Sequence, residues 1–281
     1  MKRIDHRSGS RAGVGSWLVI LALVGLSSSL QAEVVFYDPD GEPLPFETFE
    51  EVEDFLETAD IVWKEKLDSG TNKRKRKIML EKDGVKAHAI LRTGYEVKDS
   101  PGGGFVDSCH SEVAAYQLSR LLGLESVPPA VRRKGGSIQI WVENATTDAS
   151  RREKGTEPED PVAFEQQVQV MGVFDNLIAN TDRNPGNILI DGEGKVWFID
   201  HTRSFAGQTE LKFPDKITGC DRKMWKRLQT LSDAELEEAM RPYLRLYQNE
   251  LLVRRQLVVQ AIQSQIDSLG EEAVLFDSAP R

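Results

Sequence analysis

The fold is decided by residues 180–187, which read Asn-Thr-Asp-Arg-Asn-Pro-Gly-Asn. Before this segment, apolar residues recur at helical spacing from Phe164 to Ile178 and predict a helix that packs against a core. After it, two short apolar runs, 188–190 and 196–199, flank a sequence rich in turn-forming residues. The order of these patterns predicts a helix, a polar loop and a β-hairpin.

The pairing of the predicted hairpin determines which side chains meet at its open end. A four-residue loop at 192–195 pairs Ile190 with Trp197. The same ladder, continued toward the open end, places Asn187 opposite Asp200. An amide oxygen and a carboxylate then lie together, and such oxygen ligands suit a hard cation such as Mg²⁺.

The polar loop carries the groups that phosphoryl transfer needs. Cations must neutralise the phosphate oxygens, and we assign that part to Asn187 and Asp200 as metal ligands. A further group must orient the accepting hydroxyl and take its proton, which fits Asp182, five residues before Asn187. Arg183 is a second catalytic candidate, because it can position the loop or the phosphate. The alternative is a structural loop in which Asp182 pairs with Arg183 and Asn187 caps a turn.

Composition excludes several classes of protein. The chain has 281 residues, of which 40% are hydrophobic and 29% charged, so it is neither collagen-like, coiled-coil nor wholly disordered. Its formal net charge of -9 argues against a nucleic-acid partner. Cys109 and Cys220 are its only cysteines, which excludes a disulfide-rich scaffold and a multi-cysteine zinc module. These two residues either form one disulfide or remain as two buried thiols.

The first 32 residues have the pattern of a secretory signal. Four basic residues precede an apolar run at 17–26, and small residues follow as far as Ala32. We therefore expect a cleaved signal peptide and an exported protein, periplasmic or secreted, with an uncleaved membrane anchor as the alternative. No later run approaches the length of a membrane span, so none is expected in the mature chain.

The rest of the chain divides into a β-rich front and an α-rich back, which predicts an α+β fold. Asp83-Gly84 separates two β-prone runs and is a strong hairpin signal. A helix is expected from Ser108 to Leu122, a loop at 93–106, and a polar, mobile segment at 144–159. The predicted domains are a signal peptide (1–32), an N-terminal extension (33–59), a front lobe (60–143) and a back lobe (144–281).

At this point the sequence resembles a known family. Residues 180–187 and 198–205 are similar to the atypical kinase superfamily, which includes phosphatidylinositol kinases, HipA-type bacterial kinases and secretory-pathway kinases of the Golgi casein kinase type. Residues 111–118 are similar to the front-lobe helix of the last group. The resemblance covers about residues 60–205 and implies a two-lobed protein-kinase-like fold. It also implies ATP and Mg²⁺ or Mn²⁺ as cofactors.

The resemblance also assigns residues to nucleotide binding. Glu112 matches the glutamate that forms an ion pair in the front lobe, and Gly70 and Thr71 match the turn that covers the phosphates. The family usually carries a lysine at the end of the third strand, where this chain has Arg92. Arginine and lysine hold phosphate differently, so this substitution is not neutral. Arg92 is the first candidate for the role and Lys86, on the same face of the strand, is the second.

The functional prediction is an exported kinase that moves the γ-phosphate of ATP to a hydroxyl-bearing acceptor. By resemblance, the acceptor is a protein serine or threonine. The alternative, motivated by Arg92, is a nucleotide-binding pseudokinase or scaffold that regulates an envelope partner. Two features stay open: the basic run 73–77 is either a solvated loop or a phosphate-attracting patch, and His201 either lines the site or packs in the core.

Overall fold

The computed structural model describes residues 35–67, 74–98, 105–244 and 248–278, and gives no side-chain placement at 96–98 and 105–106. The predicted signal peptide, residues 1–32, and both residues of the predicted phosphate turn, Gly70 and Thr71, lie outside this part. The described residues belong to one compact unit.

The front of this unit is an antiparallel sheet. Asp83 and Gly84 both have positive φ, at 53° and 82°, and form the two-residue turn of the predicted hairpin. The strand order is β1-β2-β3-β7-β6. The strands are β1 (Asp60–Lys66), β2 (Lys75–Lys82), β3 (Val85–Thr93), β6 (Ala130–Arg133) and β7 (Gly136–Ile140).

Alternation along these strands gives the sheet two chemically different faces. One face is apolar and fully buried, and includes Ile78, Leu80, Ala89 and Ile138. Helices α1 (Phe49–Thr58) and α2 (Cys109–Leu121) pack on this sheet. The other face carries polar residues, among them Arg92. This polar face contacts the segment that follows the predicted hairpin, where Arg92 bonds Asp200.

The back of the unit is mainly helical. Helix α4 (Pro161–Ile178) begins where the Asp160 carboxylate accepts a hydrogen bond from the Ala163 N–H at 2.9 Å. It ends at Ala179, whose φ of 51° turns the chain into the polar loop. The other helices here are α3 (Asp148–Glu153), α5 (Arg222–Thr230), α6 (Asp233–Met240), α7 (Gln248–Leu269) and α8 (Glu271–Val274).

Short strands complete the back. Strands β9 (Ile188–Ile190) and β10 (Val196–Phe198) form the predicted hairpin, and β8 (Thr146–Thr147) pairs with β9. A small parallel pair, β11 (Cys220–Asp221) and β12 (Leu275–Phe276), lies near the C-terminus. An antiparallel front sheet with a helical back confirms the predicted α+β, two-lobed, kinase-like architecture. The predicted domain boundaries stay predictions.

Two predicted loops were wrong in part. The segment 93–106 contains strand β4 (Tyr95–Lys98) and the first two residues of its antiparallel partner β5 (Phe105–Ser108). The segment 144–159 holds β8 and α3 rather than a mobile loop. Asp148 in this segment is fully buried. Its carboxylate accepts hydrogen bonds from Arg151 at 2.8 Å and from Arg152 at 2.7 Å, so polar residues of this segment stabilise the fold.

The register of the functional hairpin differs from the prediction by one residue. Ile190 pairs with Val196, not with Trp197, and Asn187 lies opposite Ile199. The cause is Asp191, whose Oδ1 accepts hydrogen bonds from two backbone N–H groups within the turn, both at 3.0 Å, and so holds a five-residue loop.

Two further observations bear on expectations from the sequence. Cys109 and Cys220 are both buried and free, which selects the thiol alternative. Within the described ranges, none of the helices combines the length and the apolar character that a membrane crossing requires.

Candidate active site

The site is centred on Asp200, which follows strand β10. Its φ of 60° is a left-handed conformation that costs free energy for any residue but glycine. Its Oδ1 accepts hydrogen bonds from Arg92 Nη1 at 3.1 Å and from Thr202 Oγ1 at 3.2 Å, and its Oδ2 contacts the Lys75 ammonium. Burial by itself raises the pKa of this carboxyl, but the charges of Arg92 and Lys75 outweigh it and hold the pKa well below its usual range.

Arg92 joins Asp200 to the front-lobe helix. Its Nε lies 3.3 Å from Glu112 Oε1, as an ion pair without hydrogen-bond geometry. Both side chains are buried, with 4% of Arg92 and none of Glu112 exposed. Burial by itself raises the pKa of Glu112. The neighbouring Arg92 and His201 outweigh burial, so the pKa lies below its usual value and the carboxylate stays charged. The predicted pairing of Glu112 with Arg92 is therefore present.

His201 carries the network from the front lobe to the loop. Glu112 accepts one hydrogen bond from the His201 backbone N–H at 2.9 Å and contacts its Nδ1 at 3.3 Å. The other ring nitrogen, Nε2, lies 3.0 Å from Arg183 Nη2. Because a guanidinium can only donate, Nε2 is the acceptor and Nδ1 carries the proton that points at Glu112. Of the two alternatives for His201, packing in the core is the one observed, because the side chain is fully buried. Its contacts also link Glu112 on the front-lobe helix to Arg183 in the polar loop.

Arg183 is saturated with partners. Its five N–H groups meet five acceptors: both carboxylate oxygens of Asp175 at 2.8 and 3.0 Å, the carbonyls of Asn187 and Ile199 at 2.6 and 2.7 Å, and His201. No donor remains for a phosphate. Arg183 was predicted to position either the loop or the phosphate, and these hydrogen bonds tie the polar loop to the strand end. Its assignment as a catalytic residue stays a prediction.

Asp182 is held at the same loop but is open to solvent on one side. Its backbone N–H donates to Asn180 Oδ1 at 3.1 Å, and Asn180 in turn donates to Asp175 at 2.9 Å. The Asp182 carboxylate lies 3.3 Å from Arg203 Nη1, and 37% of the side chain is exposed. A hydroxyl group from outside can therefore reach a carboxylate whose backbone is fixed.

Asn187 offers an oxygen beside this loop. Its Nδ2 donates to the Asp182 carbonyl at 2.9 Å, which orients the amide. Across the described residues, Asn187 Oδ1 has no hydrogen-bond partner. Asn187 and Asp200 carry the oxygen ligands that Mg²⁺ or Mn²⁺ prefers, and the Asp200 oxygens are bonded to Arg92, Thr202 and Lys75. Within the described ranges, no group of three or more His, Cys, Asp and Glu side chains is placed to hold a metal ion.

The structure changes the nucleotide-binding assignment in two ways. Lys86 lies at the far end of β3, is 55% exposed and pairs with Glu81 at 3.8 Å, so it is not brought to the site. Lys75 lies at the site instead, because its ammonium contacts Asp200. From the sequence, Lys75 was considered only as a member of the basic run 73–77. A signal was available, because the β2–β3 hairpin places Lys75 directly opposite Arg92.

Comparison with protein families gives one match. Residues 67–244 match the family described as phosphatidylinositol 3- and 4-kinase. A comparison with curated proteins gave no match. The matched segment covers more than half of the chain and contains all the residues of the network described above. Enzymes of this family are kinases, which implies ATP, typically a divalent metal ion, and a hydroxyl acceptor. The chain belongs to the phosphatidylinositol 3- and 4-kinase family and is a kinase-like phosphotransferase.

Proposed function

We propose that this protein is an active kinase that transfers the γ-phosphoryl group of ATP to a serine or threonine hydroxyl of an exported protein. The observation that carries the proposal is the unbroken chain of buried contacts from Glu112 and Arg92 through Asp200 and His201 to Arg183. Phosphoryl transfer depends mainly on positioning and on electrostatic stabilisation, and both require such a rigid, charged arrangement.

The reaction uses Asp182 at the acceptor. The acceptor hydroxyl approaches the exposed side of this carboxylate and hydrogen bonds to it. Its oxygen forms a bond to the γ-phosphorus, the bond from that phosphorus to the bridging oxygen breaks, and ADP leaves. The hydroxyl proton passes to Asp182. The Asp182 carboxylate pairs with Arg203 at 3.3 Å and keeps 37% of its side chain exposed, which leaves it accessible to an acceptor.

Asn187 and Asp200 are the residues that would hold a divalent cation, Mg²⁺ or Mn²⁺. A bound cation supplies positive charge against the phosphate oxygens. The chain contributes the orientation of the donors: the Asn187 side-chain amide is held by the hydrogen bond that its Nδ2 donates to the Asp182 carbonyl, and Thr202 and Arg92 fix the Asp200 carboxylate.

The proposal is most specific about the acceptor substrate and about the cellular compartment in which the protein acts. The resemblance to secretory-pathway kinases and the signal-like residues 1–32 support an exported protein acceptor. The open side of Asp182 is compatible with a hydroxyl on a macromolecule. An inositol lipid is the acceptor suggested by the matched family's description, and the experiment below separates the two.

A pseudokinase that binds nucleotide without turnover is a second candidate function. It is favoured by one observation: the residue at the usual lysine position is Arg92, which is buried and already committed to Glu112 and Asp200. In that case ATP binds and stabilises the protein, but no phosphate is transferred.

The experiment measures the transfer of radiolabelled phosphate from ATP by the full-length protein, with Mg²⁺ or Mn²⁺, to an acidic protein acceptor and to phosphatidylinositol vesicles. Asp200→Ala is the test variant, and Asp215→Ala, at an exposed aspartate of the same lobe, is the matched control. We expect label on the protein acceptor with the wild type and Asp215→Ala, and none with Asp200→Ala. Label on the lipid alone would overturn the acceptor assignment. Metal-dependent ATP binding without transfer would establish the pseudokinase.

A further inference from the structure

The two cations beside Asp200 face it from neighbouring strands. The β2–β3 register pairs Lys75 with Arg92, so that both side chains extend from the same face of the sheet. Both reach Asp200: Arg92 bonds its Oδ1 and Lys75 contacts its Oδ2. Lys75 is the first residue of β2.

Arg92 cannot leave its present position without a large cost. It lies between two carboxylates, and Glu112 is completely buried. If Arg92 turned toward a ligand, it would leave the Glu112 charge unpaired in the interior, which is strongly unfavourable. Only 4% of its side chain is exposed. Arg92 therefore acts inside the protein.

Lys75 is held less tightly than Arg92 and is more exposed. Its side chain is 15% exposed, and its ammonium has three N–H donors on a flexible stem. If it leaves Asp200, that carboxylate keeps its bonds to Arg92 and Thr202. An ammonium at this position can turn toward a phosphate bound beside Asp200, and no buried charge is left alone.

We infer that Lys75 is the residue that contacts the β- and γ-phosphates of ATP, and that Arg92 is a positioning residue which holds Glu112 and Asp200 in place. This inference rests on the proposed function, because it requires that the site binds ATP. The single lysine of the family pattern is here replaced by two residues from adjacent strands, one for the ion pair with the helix and one for the phosphates.

The test compares nucleotide binding with folding stability in the full-length protein. The ligands are β,γ-imido-ATP with Mg²⁺, which is not hydrolysed, and adenosine, which has no phosphates. The variants are Lys75→Met, Lys75→Arg and Arg92→Lys. Lys64→Met, at an exposed lysine on the neighbouring strand β1, is the matched control. Dissociation constants come from calorimetry, and stability from urea denaturation.

For Lys75→Met we expect an affinity for imido-ATP lower by about 10- to 100-fold, the loss of a hydrogen bond to a charged group. Its affinity for adenosine should be unchanged. Lys64→Met should bind imido-ATP as the wild type does. Lys75→Arg keeps the charge but not the shape of the ammonium, so it should lose less affinity than Lys75→Met. Arg92→Lys should keep most of the affinity but unfold at lower urea.

Two results would overturn the inference, and they are distinguishable. If Lys75→Met binds imido-ATP like the wild type, or if Arg92→Lys loses affinity instead, the phosphate contact is not made by Lys75 and the proposed function is untouched. If the wild type binds neither ligand, the proposed function falls and the inference falls with it.

Discussion

The active site has two halves that are built in different ways. The loop half, residues 175–203, is assembled from partners that are close in sequence: Arg183 bonds residues only 4 to 18 positions away. The sheet half consists of Lys75, Arg92 and Glu112, whose partners in the loop half lie 89 to 125 positions away. The loop half can thus hold its shape through local contacts, whereas the sheet half exists only when the front sheet is docked against the hairpin.

The largest effect on stability should come from breaking the loop half. In Arg183→Ala, Asp175 becomes a buried carboxylate without its ion-pair partner, and the carbonyls of Asn187 and Ile199 lose a donor. Removal of one partner from a buried pair typically costs about 3–5 kcal/mol. Urea denaturation should show a loss of this size in the free energy of unfolding.

The control for this measurement is Arg241→Ala. Arg241 is 64% exposed and pairs with Glu238 on the surface of α6, so its removal should cost about 0–1 kcal/mol. Equal losses for the two variants would show that the Arg183 contacts do not hold the loop half together.

A smaller effect is expected in the sheet half from Arg92→Lys. Lysine keeps the charge, but its single ammonium cannot reproduce the planar fork between Glu112 and Asp200. We expect a loss of about 1.5–3 kcal/mol in the free energy of unfolding, the range for a hydrogen bond to a charged group. A loss as large as that of Arg183→Ala would contradict the ranking of the two halves.

The smallest effect concerns the two thiols, one at the start of α2 in the front and one in the back. Burial raises the pKa of Cys109, and more strongly that of Cys220, so both hold little reactive thiolate at pH 8. Iodoacetamide should label both slowly in the native protein and rapidly in urea, as followed by mass spectrometry. A disulfide-linked peptide from the native protein would contradict the free-thiol structure.

The same contrast explains how much of the site could be predicted from sequence. Asp182, Asn187 and Asp200 lie on one helix–loop–hairpin unit, and their spacing and turn residues were sufficient to predict that unit. The hairpin register was wrong by one residue, because the two hydrogen bonds that Asp191 accepts lengthen the turn and no apolar pattern reports them. The five hydrogen bonds of Arg183 could not be predicted, since spacing does not show which donors are already used.

The sheet half was harder to predict. The pairing of Glu112 with Arg92 was anticipated through family resemblance, not through local pattern. Lys75 was not singled out because the five consecutive basic residues at 73–77 were treated as one run, either a solvated loop or a phosphate-attracting patch. Only the pairing with β3 distinguishes the position that faces Asp200. Helix α3 was not predicted because its residues are mostly polar, as in a loop. In the structure, the buried Asp148 carboxylate accepts hydrogen bonds from Arg151 and Arg152, and no apolar pattern reports these bonds.

The most direct test of the account is a paired measurement on the wild type and Asp182→Asn, in which nucleotide binding and single-turnover phosphoryl transfer are followed in the same preparation. The account predicts that Asp182→Asn binds Mg-ATP like the wild type but transfers phosphate about 10²- to 10⁴-fold more slowly, the contribution of one acid–base group. Equal transfer rates would contradict the role of Asp182. A wild type that binds Mg-ATP and transfers nothing would contradict the proposed kinase activity and leave the pseudokinase.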